Sequence, residues 1–233
     1  MKRLIDLKDV VKIYRTGGEE LMALKHVSLH IAEGEFTSIM GPSGSGKSTM
    51  MNILGLLDRF DEGTYHLNGQ DVTNLTSYES AHVRNKEIGF VFQSFNLMPR
   101  MSLLDNVALP MVYSGIAPKE RKERALEALR KVGLADRVTH RPNAISGGQK
   151  QRVAIARAIV NDPAVLMADE PTGNLDSKTT LEIMKIFQDL NNAGTTVVMV
   201  THEPDVAQYT KRIVSFKDGE IIDDQPVKER KTL

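Results

Sequence analysis

Eight residues constrain this chain more than any others: Gly41-Pro42-Ser43-Gly44-Ser45-Gly46-Lys47-Ser48. They match G-x-x-x-x-G-K-[ST], a pattern that needs a strand before it and a helix after it. The glycines let the backbone fold tightly, so that successive N–H groups converge on phosphate oxygens. The run Phe36 to Met40 is β-suited and stops at Gly41, and a helix reads from about Lys47 to Leu57. That helix aims its positive end at the same point. Lys47 would supply a charge-assisted donor to terminal phosphates, and the Ser48 hydroxyl a ligand for Mg²⁺. The candidate set runs Gly41, Pro42, Ser43, Gly44, Ser45, Gly46, Lys47, Ser48 and Thr49. Kinases, GTPases and helicases share such a loop, so it specifies a nucleotide phosphate and no more.

A second element fits an α/β fold built around that loop. Val165 to Ala168 is four apolar residues in a row, the composition of a strand buried on both faces of a parallel sheet. Asp169 and Glu170 follow at its carboxyl end, where open α/β sheets bind ligands. Asp169 would hold Mg²⁺ through water, and Glu170 would orient and deprotonate an attacking water. The plainer alternative is a strand followed by a solvated acidic turn.

Elsewhere Val27, Leu29 and Ile31 alternate with polar residues as in a half-buried strand. Asn68-Gly69 and Asp218-Gly219 mark hairpins. From about residue 94 to 161 the character is helical, and this region reads as an insertion in one domain spanning 1–233. Pro118 opens and Gly133 closes one helix there, with Ala125, Leu129 and Val132 on a single face. Lys178 to Asn191 reads as a helix and Thr195 to Val200 as a strand. Pro226 to Leu233 is polar and reads as frayed.

Composition narrows the function classes. Lys plus Arg is 30 and Asp plus Glu is 30, so no basic excess suggests nucleic acid as a partner. No cysteine is present, which rules out disulfides and thiolate metal sites. No run approaches the roughly 18–20 apolar residues of a transmembrane helix. Asp6 and Asp9 interrupt the place of a signal-peptide core. The chain therefore reads as cytoplasmic, reaching a membrane only through a partner.

Ile145-Ser146-Gly147-Gly148-Gln149 leads into Lys150 to Ala158. A serine, two glycines and a helix N-terminus make a second anion site, or simply an N-cap before a surface helix. Here the chain resembles the nucleotide-binding subunits of ABC transporters, whose signature is Leu-Ser-Gly-Gly-Gln; Ile145 replaces the leucine. The resemblance covers nearly the whole chain and assigns further residues. It implies a RecA-like P-loop NTPase core, an antiparallel β subdomain and a helical subdomain particular to the family. Tyr14 matches the aromatic that stacks on adenine. Gln93 matches the glutamine that senses Mg²⁺ and the γ-phosphate. Asp176 matches the aspartate of Ser-Ala-Leu-Asp, with Gly173 and Asn174 as variants. His202 matches the histidine that contacts the γ-phosphate. Taken singly, Tyr14 could be a core aromatic, Gln93 a surface amide, His202 structural and Asp176 an N-cap.

The resemblance implies a head-to-tail homodimer, with each ATP held between the phosphate loop of one copy and Ser146 to Gln149 of the other. It implies an integral membrane permease as partner, docked along Phe95 to Tyr113; the alternative is that this stretch is core. Within the family the likeness is strongest to the macrolide-exporter and lipoprotein-release group, carried by Ile88 to Leu97 and Ala168 to Asp176. That group pairs with permeases of the FtsX/MacB kind. A division-type regulatory ATPase and, more remotely, a nucleic-acid-associated ABC ATPase stay open as alternatives.

Overall fold

The computed structural model describes residues 2–233, the side chain of Thr16 excepted; Met1 lies outside the described residues. Ten strands and seven α-helices lie along it. The long strands β1 (Arg3–Thr16) and β2 (Glu19–Ala32) pair antiparallel, and β4 (Glu62–Leu67) pairs with β1 on the other side. The Asn68-Gly69 turn joins β4 to the two-residue strand β5 (Gln70–Asp71), the hairpin read from the sequence.

The second sheet holds six strands in the order β10-β9-β3-β8-β7-β6. Here β3 is Phe36–Met40, β6 Ile88–Phe92, β7 Val165–Asp169, β8 Thr196–Val200, β9 Arg212–Lys217 and β10 Glu220–Pro226. All its pairings are parallel except the β9–β10 hairpin. Its central strands β3, β7 and β8 are buried on both faces, so their side chains alternate between two apolar clusters. Val198 and Val200 join one, with Met50, Ile53 and the antiparallel sheet; Val197 and Met199 join the other, with the inserted helices.

Helix α1 (Lys47–Leu54) follows β3, and α2 (Ser77–Glu87) precedes β6. Helices α3 (Leu103–Tyr113), α4 (Pro118–Lys131) and α5 (Gly147–Ile159) sit between β6 and β7 in the chain. Helix α6 (Ser177–Asn192) joins β7 to β8, and the short α7 (Pro204–Ala207) leads toward β9.

Three readings need correction. α1 ends at Leu54, not Leu57, because Gly55 caps it and Phe90 packs where a Gly55 side chain would stand. α2 was not anticipated at all. The segment after Pro226 is tied down, not frayed. Buried Gln188 of α6 donates to Lys231 O at 2.8 Å and accepts from the Leu233 N–H at 3.0 Å, while the Lys231 N–H reaches Gln208 O at 2.9 Å.

Candidate functional site

The loop from Gly41 to Gly46 leaves β3 and enters α1 as the pattern requires. Gly41 admits no side chain: a Cβ there would lie 2.2 Å from Phe216 O and 2.6 Å from Ser45 Oγ. Lys47 folds over the loop, donating to Gly41 O and Pro42 O at 2.8 Å each. Ser45 Oγ is buried without a partner. The N-terminus of α1 has no side-chain cap and no acid in its first turn. Unused N–H groups, an orphaned hydroxyl and a buried ammonium together fit a phosphate chain.

A cleft of about 500 Å³ opens from this loop. Gly44 to Thr49 form one wall; Tyr14, Leu21, Met22 and Lys25 form another, and Asp218 and Gly219 close it. Tyr14 is clamped: its hydroxyl donates to Asp58 Oδ2 at 2.9 Å, and Lys12 Nζ sits 4.8 Å from the ring centroid. Burial pushes the Asp58 carboxyl up, but bonds from Lys12, Tyr14 and the Arg59 N–H outweigh it and hold it below the usual range. Leu21 and Met22 were not read from sequence as site residues; their signal is exposure, 66% and 40%, unusual for such side chains in a strand.

Asp169 ends β7 and Glu170 follows it with φ 44, a strained value for a glutamate. Burial and then the charge of Glu170 raise the Asp169 carboxyl, and Lys47 opposes them. Among the described residues no three acidic or imidazole side chains converge on a point. The residues expected at a metal, the Asp169 carboxylate, the Ser48 hydroxyl and the Gln93 amide, would make a sparse donor set. It suits Mg²⁺, which keeps waters and takes substrate phosphate oxygens.

His202 Nδ1 lies 2.9 Å from Glu170 Oε1, so the histidine expected at the γ-phosphate also contacts the candidate base. Gln93 follows β6. Asn174 Nδ2 donates to Gln93 O at 3.3 Å, and a Cβ on Gly173 would lie 2.6 Å from Gln93 Nε2. Both positions that depart from Ser-Ala-Leu-Asp thus touch Gln93.

The second motif lies elsewhere. None of Ser146, Gly147, Gly148 or Gln149 lines the cleft. Ser146 caps α5, accepting from the Gln149 N–H at 3.3 Å, while Gln149 Oε1 accepts from the Ser146 N–H at 3.0 Å. Asp176 caps α6 in the same manner, from the Thr179 N–H at 3.0 Å.

A groove of about 650 Å³ runs past β6, the edge strand, between α2 on one side and α3 and α5 on the other. Tyr78, Phe90, Phe92 and Tyr113 line it, with His82, Arg84 and Arg157 as its basic groups. The stretch Phe95 to Tyr113 divides accordingly: Leu103 and Met111 are fully buried core, and Tyr113 is 77% exposed on the groove. Tyr78, Ala81, His82, Arg84 and Asn85 of the groove come from α2, outside that stretch.

Among the described residues no helix is long and apolar enough to cross a membrane. Residues 24–173 match the family described as ABC transporter. The chain is 59% identical over 219 residues to the uncharacterized ABC transporter ATP-binding protein YknY of Bacillus subtilis, covering 94% of this chain and 95% of that one. It is 53% identical over 222 residues to the macrolide export ATP-binding/permease protein MacB of Chlorobaculum tepidum, covering 95% of this chain but only 34% of that longer protein. Among solved structures it superposes on the ATP-binding cassette MJ0796, in a dimeric post-hydrolysis state bound to ADP and Pi. The TM-score is 0.88 at 47% identity, over 96% of this chain and 99% of that one. With the phosphate loop, the carboxylate pair and the capped signature helix each in place, this chain belongs to the ABC transporter family as one of its ATPase cassettes.

Proposed function

We propose that two copies of this chain close head to tail on Mg-ATP, and that hydrolysis reopens them to drive a separate integral membrane permease. One observation carries this reading: the cleft built on the phosphate loop contains no residue of Ser146 to Gln149. A second copy can supply them. The α5 N-terminus would then add its N–H groups and the Ser146 hydroxyl to the terminal phosphate.

Within each cleft the loop N–H groups and Lys47 bind the phosphates, and Tyr14, held by Asp58, presents its ring to the adenine. Ser48, Gln93 and Asp169 would hold Mg²⁺, which supplies charge neutralisation at the phosphate oxygens. Glu170 orients the attacking water and takes its proton. His202, whose Nδ1 lies within hydrogen-bond distance of Glu170, orients that carboxylate and contacts the γ-phosphate. Asp176 orders the start of α6 at the dimer face.

The permease is of the FtsX/MacB kind, and the work is export, lipoprotein release or mechanotransmission from the cytoplasmic face of the membrane. A short helix of the permease seats in the groove between α2 and α3. The 53% identity to the MacB protein supports this subgroup. The zero net charge gives nucleic acid no electrostatic footing.

Glu170→Gln tests the mechanism. It should leave ATP binding intact, lower kcat by at least about 100-fold and accumulate an ATP-dependent dimer in gel filtration. Steady turnover by that variant would refute the role given to Glu170.

A further inference from the structure

Two successive residues after Gln93, Phe95 and Asn96, have φ of 61 and 50. Left-handed backbone is costly for phenylalanine and only milder for asparagine, so two in a row persist only where neighbours enforce them. The turn's own hydrogen bonds are short-range: the Phe95 N–H to Phe92 O at 3.1 Å and the Asn96 N–H to Ser94 O at 2.6 Å.

The enforcing neighbour is Arg157 of α5. Its guanidinium donates to Phe95 O at 2.9 Å and to Asn96 O at 2.5 Å. The planar fork spans both carbonyls at once, which a lysine's point charge does not. Arg157 is half-buried and has no carboxylate partner among the described residues; burial lowers its pKa with no charge opposing it. A desolvated cation spent on two backbone carbonyls is an expensive arrangement for a merely solvated helix face.

The base of this strap is rigid. Gly89 of β6 lies against α5 so closely that a Cβ there would sit 2.3 Å from Ala158 O. Arg157 thus starts from a helix locked to the strand that ends one residue before Gln93. Asn174 donates to Gln93 O at 3.3 Å. The carbonyls of Gln93, Phe95 and Asn96 are therefore all taken by side chains from two different elements. Arg157 also lines the groove beside β6.

We propose that Arg157 is a positioning residue for the ATPase: its guanidinium pins the Phe95–Asn96 turn and so sets where Gln93 stands. This rests on the placement of Gln93 at the reacting phosphates proposed above. Arg157 itself touches no phosphate and does not contribute to holding ATP in the ground state. The strap transmits the α5 position to Gln93.

The test uses the purified full chain and the Arg157→Met variant, with Arg157→Lys as the milder alternative that keeps charge and stem but not the fork. Amide exchange at Phe95 and Asn96 should quicken about tenfold, and kcat at saturating Mg-ATP should fall about tenfold, with KM for ATP within about twofold. Adding Asn96→Gly should recover part of both losses, because glycine takes the left-handed conformation freely. A packing role for Arg157 in α5 would instead quicken exchange along the whole helix, and Asn96→Gly would not rescue it. Unchanged exchange at Phe95 and Asn96 overturns the proposal, as does quicker exchange with wild-type kcat. Gln93→Ala, assayed alongside, separates the two readings. If it loses kcat while Arg157→Met does not, only the strap fails; if neither loses kcat, the placement of Gln93 fails as well.

Discussion

Asp58 shows how a single side chain shapes the candidate base-binding wall. Three donors converge on it, from Lys12 at 3.0 Å, Tyr14 at 2.9 Å and the Arg59 N–H at 2.7 Å. Its carboxyl is held below the usual range, so its folded value lies under the unfolded one. Such a group stabilises the fold fully above the unfolded pKa and loses that contribution as pH falls through the folded value. Wild type should therefore exceed Asp58→Asn by about 1 kcal/mol near neutral pH, a figure already discounted for partial exposure. The gap should shrink to nothing as pH drops below the carboxylate range. Denaturant melts of both proteins across that range would check it; a gap that persists in acid would show the contribution is not the carboxylate's charge. Tyr14 itself was legible in the sequence through the family likeness. Its clamp was not, because Asp58 stands 44 residues away and nothing local links the two. The same holds for Gln93: the motif names it, while its contacts with Gly173, Asn174 and, through the turn, Arg157 exist only once β6, β7 and α5 are brought together.

Helix ends carry much of the chemistry. Ser146 and Gln149 form a reciprocal capping box on α5, which bears out the plain N-cap reading, and the anion site is the role proposed for the same residues in the dimer. Substitution can separate the two roles. Ser146→Ala should cost about 1 kcal/mol of stability from the lost cap. Ser146→Asp should restore the cap and the stability, yet place a negative charge where the proposed dimer brings phosphate. Melts combined with gel filtration in Mg-ATP, on a Glu170→Gln background, read both quantities; an ATP-dependent dimer with Asp at 146 would sink the composite site. Helices were legible where an apolar stripe marked them, as in α4, whose Ala125 and Leu129 are buried. α2 escaped because Val83 alone of its eleven residues is buried, leaving no stripe to read. Its Thr76–Glu79 capping box was a visible signal that periodicity does not capture. The C-terminal segment was misread for a related reason. Its polar composition suggests solvent, but Gln188 offers it both a donor and an acceptor.

At the scale of the molecule, the six-stranded sheet divides two apolar clusters, and the inserted helices own one of them. This separates residues that look alike in the sequence. Met111→Ala should cost about 2–5 kcal/mol, because Met111 is fully buried. Tyr113→Ala, two residues on, should stay within about 0.5 kcal/mol of wild type. It should nevertheless abolish recovery of an integral membrane permease with ATP-locked Glu170→Gln protein from native membranes. Chemical melts and mass spectrometry of the recovered complex would decide; undiminished recovery would place the permease elsewhere. The core order β3-β8-β7-β6 needed pairing across distant segments, so the sequence indicated its strands but not their sequence in space.

The groove sits at the edge strand β6, where Ile88 of one cluster and Phe90 at its margin meet Ala158 from the other. An object seated there bears on both sides of the seam at once. In mechanical terms, because Gly89 locks β6 against α5, a displacement of one is carried to the other instead of being absorbed between them. A close-packed interior resists compression strongly. A push on this edge is therefore carried by β6 and α5 as one piece, toward the residue that follows β6, Gln93.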